Sequence, residues 1–392
     1  MNKCIFKLND ICDISGGYAF KSTIFKDNGI PIIRIGDISD NKINISETTV
    51  YINENIEKYK NFIISKGDIL IALSGATTGK FGIYNYDEPS LLNQRVAKLF
   101  PKKDVLNKYL YHYMNKLQDT IYNKALGCAQ PNISPKEIGE LEIYLPNINE
   151  QKAIVEVLDK AQELIDKRKK QIEALDELVK SKFIEMFGDP VQNPLGWQLK
   201  PFLDSGNCKN GMNFSATETG VELQYLGVGD FKDLSKIEDV NNLGKVSLNK
   251  MPSTEYLLQD GDIVFVRSNG NKALVGRCLA VYPNGIPTTY SGFCIRYRKT
   301  DKSLEIPYLL QVLKTDSMRK NMAGRGANIQ NLNQQILGEL MIPIPPIELQ
   351  NQFADFVKQV DKLKFEMEKS LKELEDNFNS LMEKAFNEEL LK

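Results

Sequence analysis

The chain has a single histidine, His112, in the aromatic run YLYHYM. A Ser-His-Asp mechanism or a histidine nuclease needs an imidazole held beside a nucleophile or a water. The residue equivalent to His112 in an internal repeat described below is Gln311. A chemical role is not expected to change residue type between two copies doing the same job, so His112 reads as a packing residue. The triplet Glu150-Gln151-Lys152 resembles the E-x-K fragment of a metal nuclease, but its counterpart is Leu349-Gln350-Asn351, and the pattern reads as a helix start. Between Gly75 and Gly79-Lys80 stand three residues, where a phosphate-binding loop has four, and Phe81 replaces the Ser or Thr that would hold magnesium. The NPLGW beginning at Asn193 has one proline and no tyrosine, so it is not an NPPY adenine-methylation motif. The six cysteines, at positions 4, 12, 128, 208, 278 and 294, form no C-x-x-C pair, so reduced thiols are expected and a metal site is not. These readings predict a chain that is non-catalytic by itself, with no metal and no cofactor of its own.

Residues suited to binding are more plentiful. The segments SGATTGKFG (74–82) and SNGNKALVGR (268–277) follow equivalent apolar runs. They offer Ser74, Thr77, Thr78 and Lys80 in one copy, and Arg267, Ser268, Asn269, Asn271, Lys272 and Arg277 in the other. Arg95 adds a further cation, and the amide-rich loops LGCAQPNIS (126–134) and AGRGANIQNLN (323–333) supply Gln130, Asn132, Arg325, Asn328 and Gln330. Such side chains reach phosphate oxygens or base edges, and Asn and Gln can pair bidentately with adenine. The same glycines can instead make tight hairpins, and the same amides can cap turns. Both readings stand at this stage.

The elements that must position these residues occur twice. LPNINEQKAI (145–154) and IPPIELQNQF (344–353) match in register at Pro146 and Pro345, Ile148 and Ile347, and Gln151 and Gln350. SGGYAF (15–20) matches KNGMNF (209–214), Gly36-Asp37 matches Gly229-Asp230, and KGDILIALS (66–74) matches DGDIVFVRS (260–268), all 193 or 194 positions apart. Further along, NKYLYHYMNKL (107–117) matches IPYLLQVLKTD (306–316) and IGELEIYLP (138–146) matches LGELMIPIP (337–345) at a spacing of 199. The chain is therefore a tandem duplication. In each copy short β-branched runs alternate with Gly, Asn and Asp turns, which predicts a mostly antiparallel sheet domain with one or two helices. A long helix follows. Its apolar positions step by four and three through Ile154, Leu158, Ala161, Ile165, Ile172, Leu175, Val179 and Met186, with Arg168 and Lys182 as exceptions. The second copy repeats the pattern through Phe353, Val357, Val360, Met367, Leu371, Leu374, Phe378, Leu381 and Ala385, with Lys364 as its exception. This is a coiled-coil period, and two matching seams in one chain predict that the helices pair with each other. The fold class expected is α+β: a duplicated, mostly antiparallel β domain followed by a long helix, the two helices forming an antiparallel coiled coil related by a pseudo-two-fold axis. Arg168 and Lys364 would each extend past a leucine to solvent. The expected divisions are 1–146, 147–187, 188–345 and 346–392.

The prolines explain the repeated joint, because they lack an N–H and hold the preceding residue extended, ending a strand before the helix. GELEIYLPNINEQKAIVEVLDKAQELI, the linker KSKFIEMFGDPVQNPLGW and the second IPIPPIELQNQF together resemble the specificity subunit of type I restriction-modification systems. The first joint departs from the family's PPLxEQ in lacking the second proline. The resemblance covers essentially the whole chain. It implies two target-recognition domains, each reading half of a split duplex DNA site, and two helical regions that set the gap and dock two methyltransferase subunits. It also implies restriction and translocase partners, with S-adenosylmethionine, ATP and magnesium confined to the partner subunits.

Charge gives that reading little help. The net charge is −1 and the pI near 6.1, without the strong basic excess of a lone DNA binder. The sheet segments carry a slight positive excess and the helices a negative one, which suits a subunit that borrows phosphate contacts from partners. No apolar run approaches the ~20 residues of a membrane span, and the N-terminus lacks the apolar core of a signal peptide, so a cytoplasmic protein is expected. The competing expectation is a protein-interaction adaptor, with duplicated heads on a coiled coil and no DNA binding.

Overall fold

The computed structural model describes residues 5–126, 131–215, 217–231, 235–323, 331–387 and 390. Two compact units emerge: residues 1–169 with 369–392, and residues 170–368. Each contains one sheet domain, here called a head, and a part of both long helices.

In the first unit the strand Val96–Pro101 lies between Cys12–Gly16 and Ile69–Ala72, antiparallel to both. A second sheet is built on Ile30–Ile33, antiparallel to Val50–Ile52 and parallel to Ser90–Leu92. The second unit repeats this plan. Cys294–Lys299 lies between Gly206–Asn210 and Asp262–Val266, and Val221–Leu226 pairs antiparallel with Gly244–Leu248 and parallel with Thr288–Tyr290. The repeated Gly-Asp turns lead into the central strands. Gly67 and Gly261 have φ of +93° and +84°, a conformation glycine adopts without strain. The carboxylates of Asp68 and Asp262 accept the N–H groups of Ser65 and Gln259, both at 2.8 Å.

The long helices are Ile148–Phe187 and Ile347–Phe386, each of 40 residues, or roughly 60 Å at ~1.5 Å per residue. In the first unit Ile154, Leu158 and Ile165 share a core with Phe378, Ala385 and Phe386, and Leu371, Leu374 and Leu381 pack against it half-buried. In the second, Phe183 and Phe187 share a core with Phe353, flanked by Val179 and Val357. The start of one helix thus meets the end of the other in both units, and the helices run antiparallel. Leu175 and Val360 are also buried and Ile172 is half-buried.

Two expectations about the seam need correction. Beyond Val179 the buried positions step by four to Phe183 and Phe187, while Lys182 and Met186 are only half-buried. An α-helix of 3.6 residues per turn drifts against a 3.5-residue repeat. Here the two phenylalanines take up the drift, packing edge-on to Phe353 with ring centroids 5.6 Å away. Lys364 does not extend alone to solvent but pairs with Asp176 of the facing helix, Nζ lying 2.7 and 2.8 Å from its two oxygens. Arg168 also has a partner.

Each helix start is fastened to its head by the repeated glutamine. Gln151 is buried. Its Nε2 donates to Asp104 O at 3.0 Å and Pro146 O at 2.9 Å, and its Oε1 accepts from Leu106 N at 2.9 Å. Gln350 does the same with Ser303 O, Pro345 O and Glu305 N, all at 2.9 Å. Where the second proline is missing, Asn147 caps the helix, its Oδ1 accepting from Asn149 N and Glu150 N at 3.0 and 3.1 Å. The linker after the first helix is a rigid corner. Gly188 turns at φ +76°, Asn193 and Trp197 exchange two hydrogen bonds, and Trp197 Nε1 donates to Phe187 O at 3.1 Å.

Candidate nucleic-acid interface

The two candidate loops of each head lie side by side, locked by equivalent bonds. Ile133 N donates to Leu73 O at 2.9 Å in the first head, and Leu332 N to Arg267 O at 2.9 Å in the second. In the first head Gly75 N also donates to Pro131 O at 2.9 Å, and Ser74 and Asn132 form an isolated bridge.

Within this frame the candidates separate. Gly75 and Gly79 have φ of +79° and +83°, so the hairpin role of the glycines is in force. Thr78 is buried and its hydroxyl donates to Gly75 O, with Pro131 O also in reach at 3.1 Å. It holds the two loops together. The hydroxyls of Ser74 and Thr77 are shielded from solvent. Lys80, Arg95 and Asn132 are exposed. In the second head Asn269 Oδ1 accepts from Asn271 N at 2.7 Å, and Asn271 Oδ1 from Ala273 N at 3.0 Å, which is the turn-capping role. Arg267, Ser268 and Arg277 are half-buried, and Arg277 has a partner. The side chain of Lys272, and Gln130, Arg325, Asn328 and Gln330 altogether, lie outside the described residues.

A group of long polar side chains that meets in the first head was only partly visible in the sequence. A cleft of about 540 Å³ is lined by Arg34, Asn93, Gln94 and Arg95, with Phe20 and Phe25 on its apolar side. Arg34 stands at the end of the strand Ile30–Ile33, where its N–H is held by Asp37 Oδ2 at 2.7 Å. One guanidinium nitrogen donates to Thr48 O at 2.8 Å, while Nε is shielded and has no hydrogen-bond partner among the described residues. Gln94 and Arg95 occupy the turn between Ser90–Leu92 and Val96–Pro101, and both are exposed. Arg34, Asn93 and Gln94 were missed because three segments distant in sequence build the cleft.

The single histidine and the described cysteines are occupied in packing. His112 is buried and its Nε2 lies 2.8 Å from Asp159 Oδ1 on the first long helix. Burial pushes the thiols of Cys12, Cys208 and Cys294 up to about 12 and that of Cys278 up to about 11, so none of the four is a thiolate at neutral pH.

The sequence matches the family model described as the type I restriction modification DNA specificity domain over residues 2–176 and again over 224–376. Among curated proteins it is similar to the specificity subunit of the type I restriction enzyme StySPI of Salmonella potsdam, 25% identical over 93% of this chain and 83% of that one. It is also similar to the EcoKI specificity subunit of Escherichia coli K12, 23% identical over 93% and 83% of the two chains. Among solved structures, the S subunit of a type I restriction-modification system from M. genitalium has a TM-score of 0.50 at 17% identity, over 98% of this chain and 96% of that one. A chain from a structure concerned with assembly and conformational transition of the type I R-M system has a TM-score of 0.54 at 16% identity, over 97% of both chains. At these identities the structural likenesses establish the fold.

Proposed function

Because this chain belongs to the type I restriction-modification DNA specificity family, we propose that it is the DNA-recognition subunit of a type I complex, each head reading one half of a bipartite duplex site. The family is non-catalytic, and we assign the chemistry to partners: two adenine methyltransferase subunits using S-adenosylmethionine, and restriction and translocase subunits using ATP and magnesium. The paired helices set the gap between half-sites and dock the methyltransferases. The complex works in the cytoplasm, and among the described residues no helix is long and apolar enough to cross a membrane.

The observation that carries the DNA reading is the cleft of the first head. Arg34, Gln94 and Arg95 line one concavity, and these side chains pair bidentately with guanine or adenine edges in the major groove. The adaptor alternative is not favoured, since a protein-binding head has no need of that set and the matched family is one of DNA specificity. Methylome sequencing of cells expressing this chain with its methyltransferase tests the proposal. A two-part methylated motif is expected, with Arg95→Ala relaxing one position of one half. Absence of any motif, together with no shift of random duplexes at low salt by the assembled complex, would favour the adaptor.

A further inference from the structure

The two heads differ at the surface assigned above to DNA, and backbone hydrogen bonds put the difference in register. Leu73 N donates to Arg95 O at 2.9 Å, and Arg267 N to Phe293 O at 2.8 Å. Gln94 N donates to Tyr18 O at 2.9 Å, and Gly292 N to Met212 O at 2.8 Å. Arg34 N is held by Asp37 Oδ2 at 2.7 Å, and Gly227 N by Asp230 Oδ2 at 2.8 Å. The residues equivalent to Arg34, Gln94 and Arg95 are therefore Gly227, Gly292 and Phe293. Three long polar side chains in one head become two glycines and a phenylalanine in the other. A Cβ at Gly292 would lie 2.0 Å from Asn213 Oδ1, so any side chain there would require Asn213 to turn aside.

Phe293 is 59% exposed. An exposed apolar residue alone means little, but this one occupies the backbone position of the exposed Arg95 in the head where the glycines remove competing polar groups. Its carbonyl is held by the N–H groups of Arg267 and Ser268, at 2.8 and 3.4 Å, so its backbone lies against that of residue types that position a protein on phosphates.

We propose that Phe293 reads the second half-site by apolar contact, packing on the C5-methyl of a thymine in the major groove. A phenyl ring can neither donate nor accept a base-edge hydrogen bond, and the thymine methyl is the apolar feature that the groove presents. The inference rests on the DNA-recognition reading and specifies the chemistry of one of its contacts.

The test uses the full complex with its methyltransferase, on duplexes carrying the wild-type motif. Each thymine is replaced singly by deoxyuridine, which removes the methyl and keeps the pairing. At one position, in the half that Arg95→Ala leaves unaltered, wild-type binding should weaken about fourfold, the equivalent of ~0.8 kcal/mol for one buried methyl-sized group. Phe293→Ala should weaken binding to the unmodified duplex to a similar degree and abolish the response to deoxyuridine, while Phe293→Leu keeps the response. Deoxyuridine sensitivity undiminished in Phe293→Ala would overturn the inference. So would a Phe293→Ala defect indifferent to the methyl and accompanied by loss of 2-aminopurine unstacking, because the ring would then be a wedge between base pairs. A wild-type complex that yields no methylated motif and shifts no random duplex at low salt would overturn the DNA reading itself, before any variant is made.

Discussion

Gln151 and Gln350 do the same work in the two copies, and each is buried with both ends of its amide occupied. Gln151→Leu would strand one N–H and two carbonyls, each costing about 1–3 kcal/mol where water cannot replace the partner. A loss of about 3 kcal/mol in denaturant unfolding is expected, and the double variant with Gln350→Leu should lose about twice that, the sites being independent. His112 shows a different side of burial. Its Nε2 faces Asp159, which Lys108 also pairs, but Nδ1 is shielded with no hydrogen-bond partner among the described residues. Burial outweighs the attraction of Asp159 and holds the imidazole below its ordinary value of 6.5. The unfolded chain therefore takes up a proton before the folded one does. The stabilisation is complete above about pH 6.5 and is lost as the pH falls below that toward the lowered folded value. Unfolding measured between pH 7.5 and 5 should show this sensitivity in the wild type and lose it in His112→Gln, which copies the second repeat. An unchanged pH slope in the variant would show that other groups govern it.

At the scale of elements, the helices and their pairing were legible because apolar residues recur at a fixed period whatever the surroundings. The last turn of the first helix was misread, since the same period hides the choice between Lys182 with Met186 and Phe183 with Phe187. Tertiary packing makes that choice, with Phe187 set 4.7 Å from the ring of Tyr308 and Phe386, its repeat partner, 5.8 Å from Tyr109. Phe183→Ala should accordingly cost about 3–5 kcal/mol. Asp176→Ala, which breaks an exposed pair with Lys364, should cost less than about 1 kcal/mol. If the two variants unfold at the same denaturant concentration, the pairing is not held by its apolar seam. The cleft of the first head was harder to find, because no period links Arg34 to Gln94. A signal was nevertheless present: IPIIRIGD and LQYLGVGD share the Gly-Asp pair and keep aliphatic residues at Ile30, Ile33 and Ile35 and at Leu223, Leu226 and Val228, yet differ at Arg34 and Gly227, as they do at Pro31 and Gln224. In a duplicated chain a shared chemistry keeps its residues in both copies, whereas heads that read different half-sites should differ at the reading surface.

At the scale of the whole molecule, both helices pass from one unit to the other near Lys169 and Lys369. Adding one heptad to each helix at those points keeps the seam in phase and lengthens each by about 10 Å. Measured against a rise of ~3.4 Å per base pair, the methylated motif should acquire a gap about three base pairs longer, with both half-sites unchanged. Methylome sequencing of the inserted variant reads this directly, and an unaltered gap would show that the helices do not set the spacing. The same crossing governs how the chain comes together during its synthesis. The first unit is not continuous: its head and the stripe of Ile154, Leu158 and Ile165 are made early, but Phe378, Ala385 and Phe386, which cover that stripe, follow only after the entire second unit. At ~5–20 residues per second, the 199 residues between Lys169 and Lys369 keep the stripe uncovered for roughly 10–40 s on each ribosome. A stop codon at residue 369 would leave it uncovered permanently, without altering any residue of the first head.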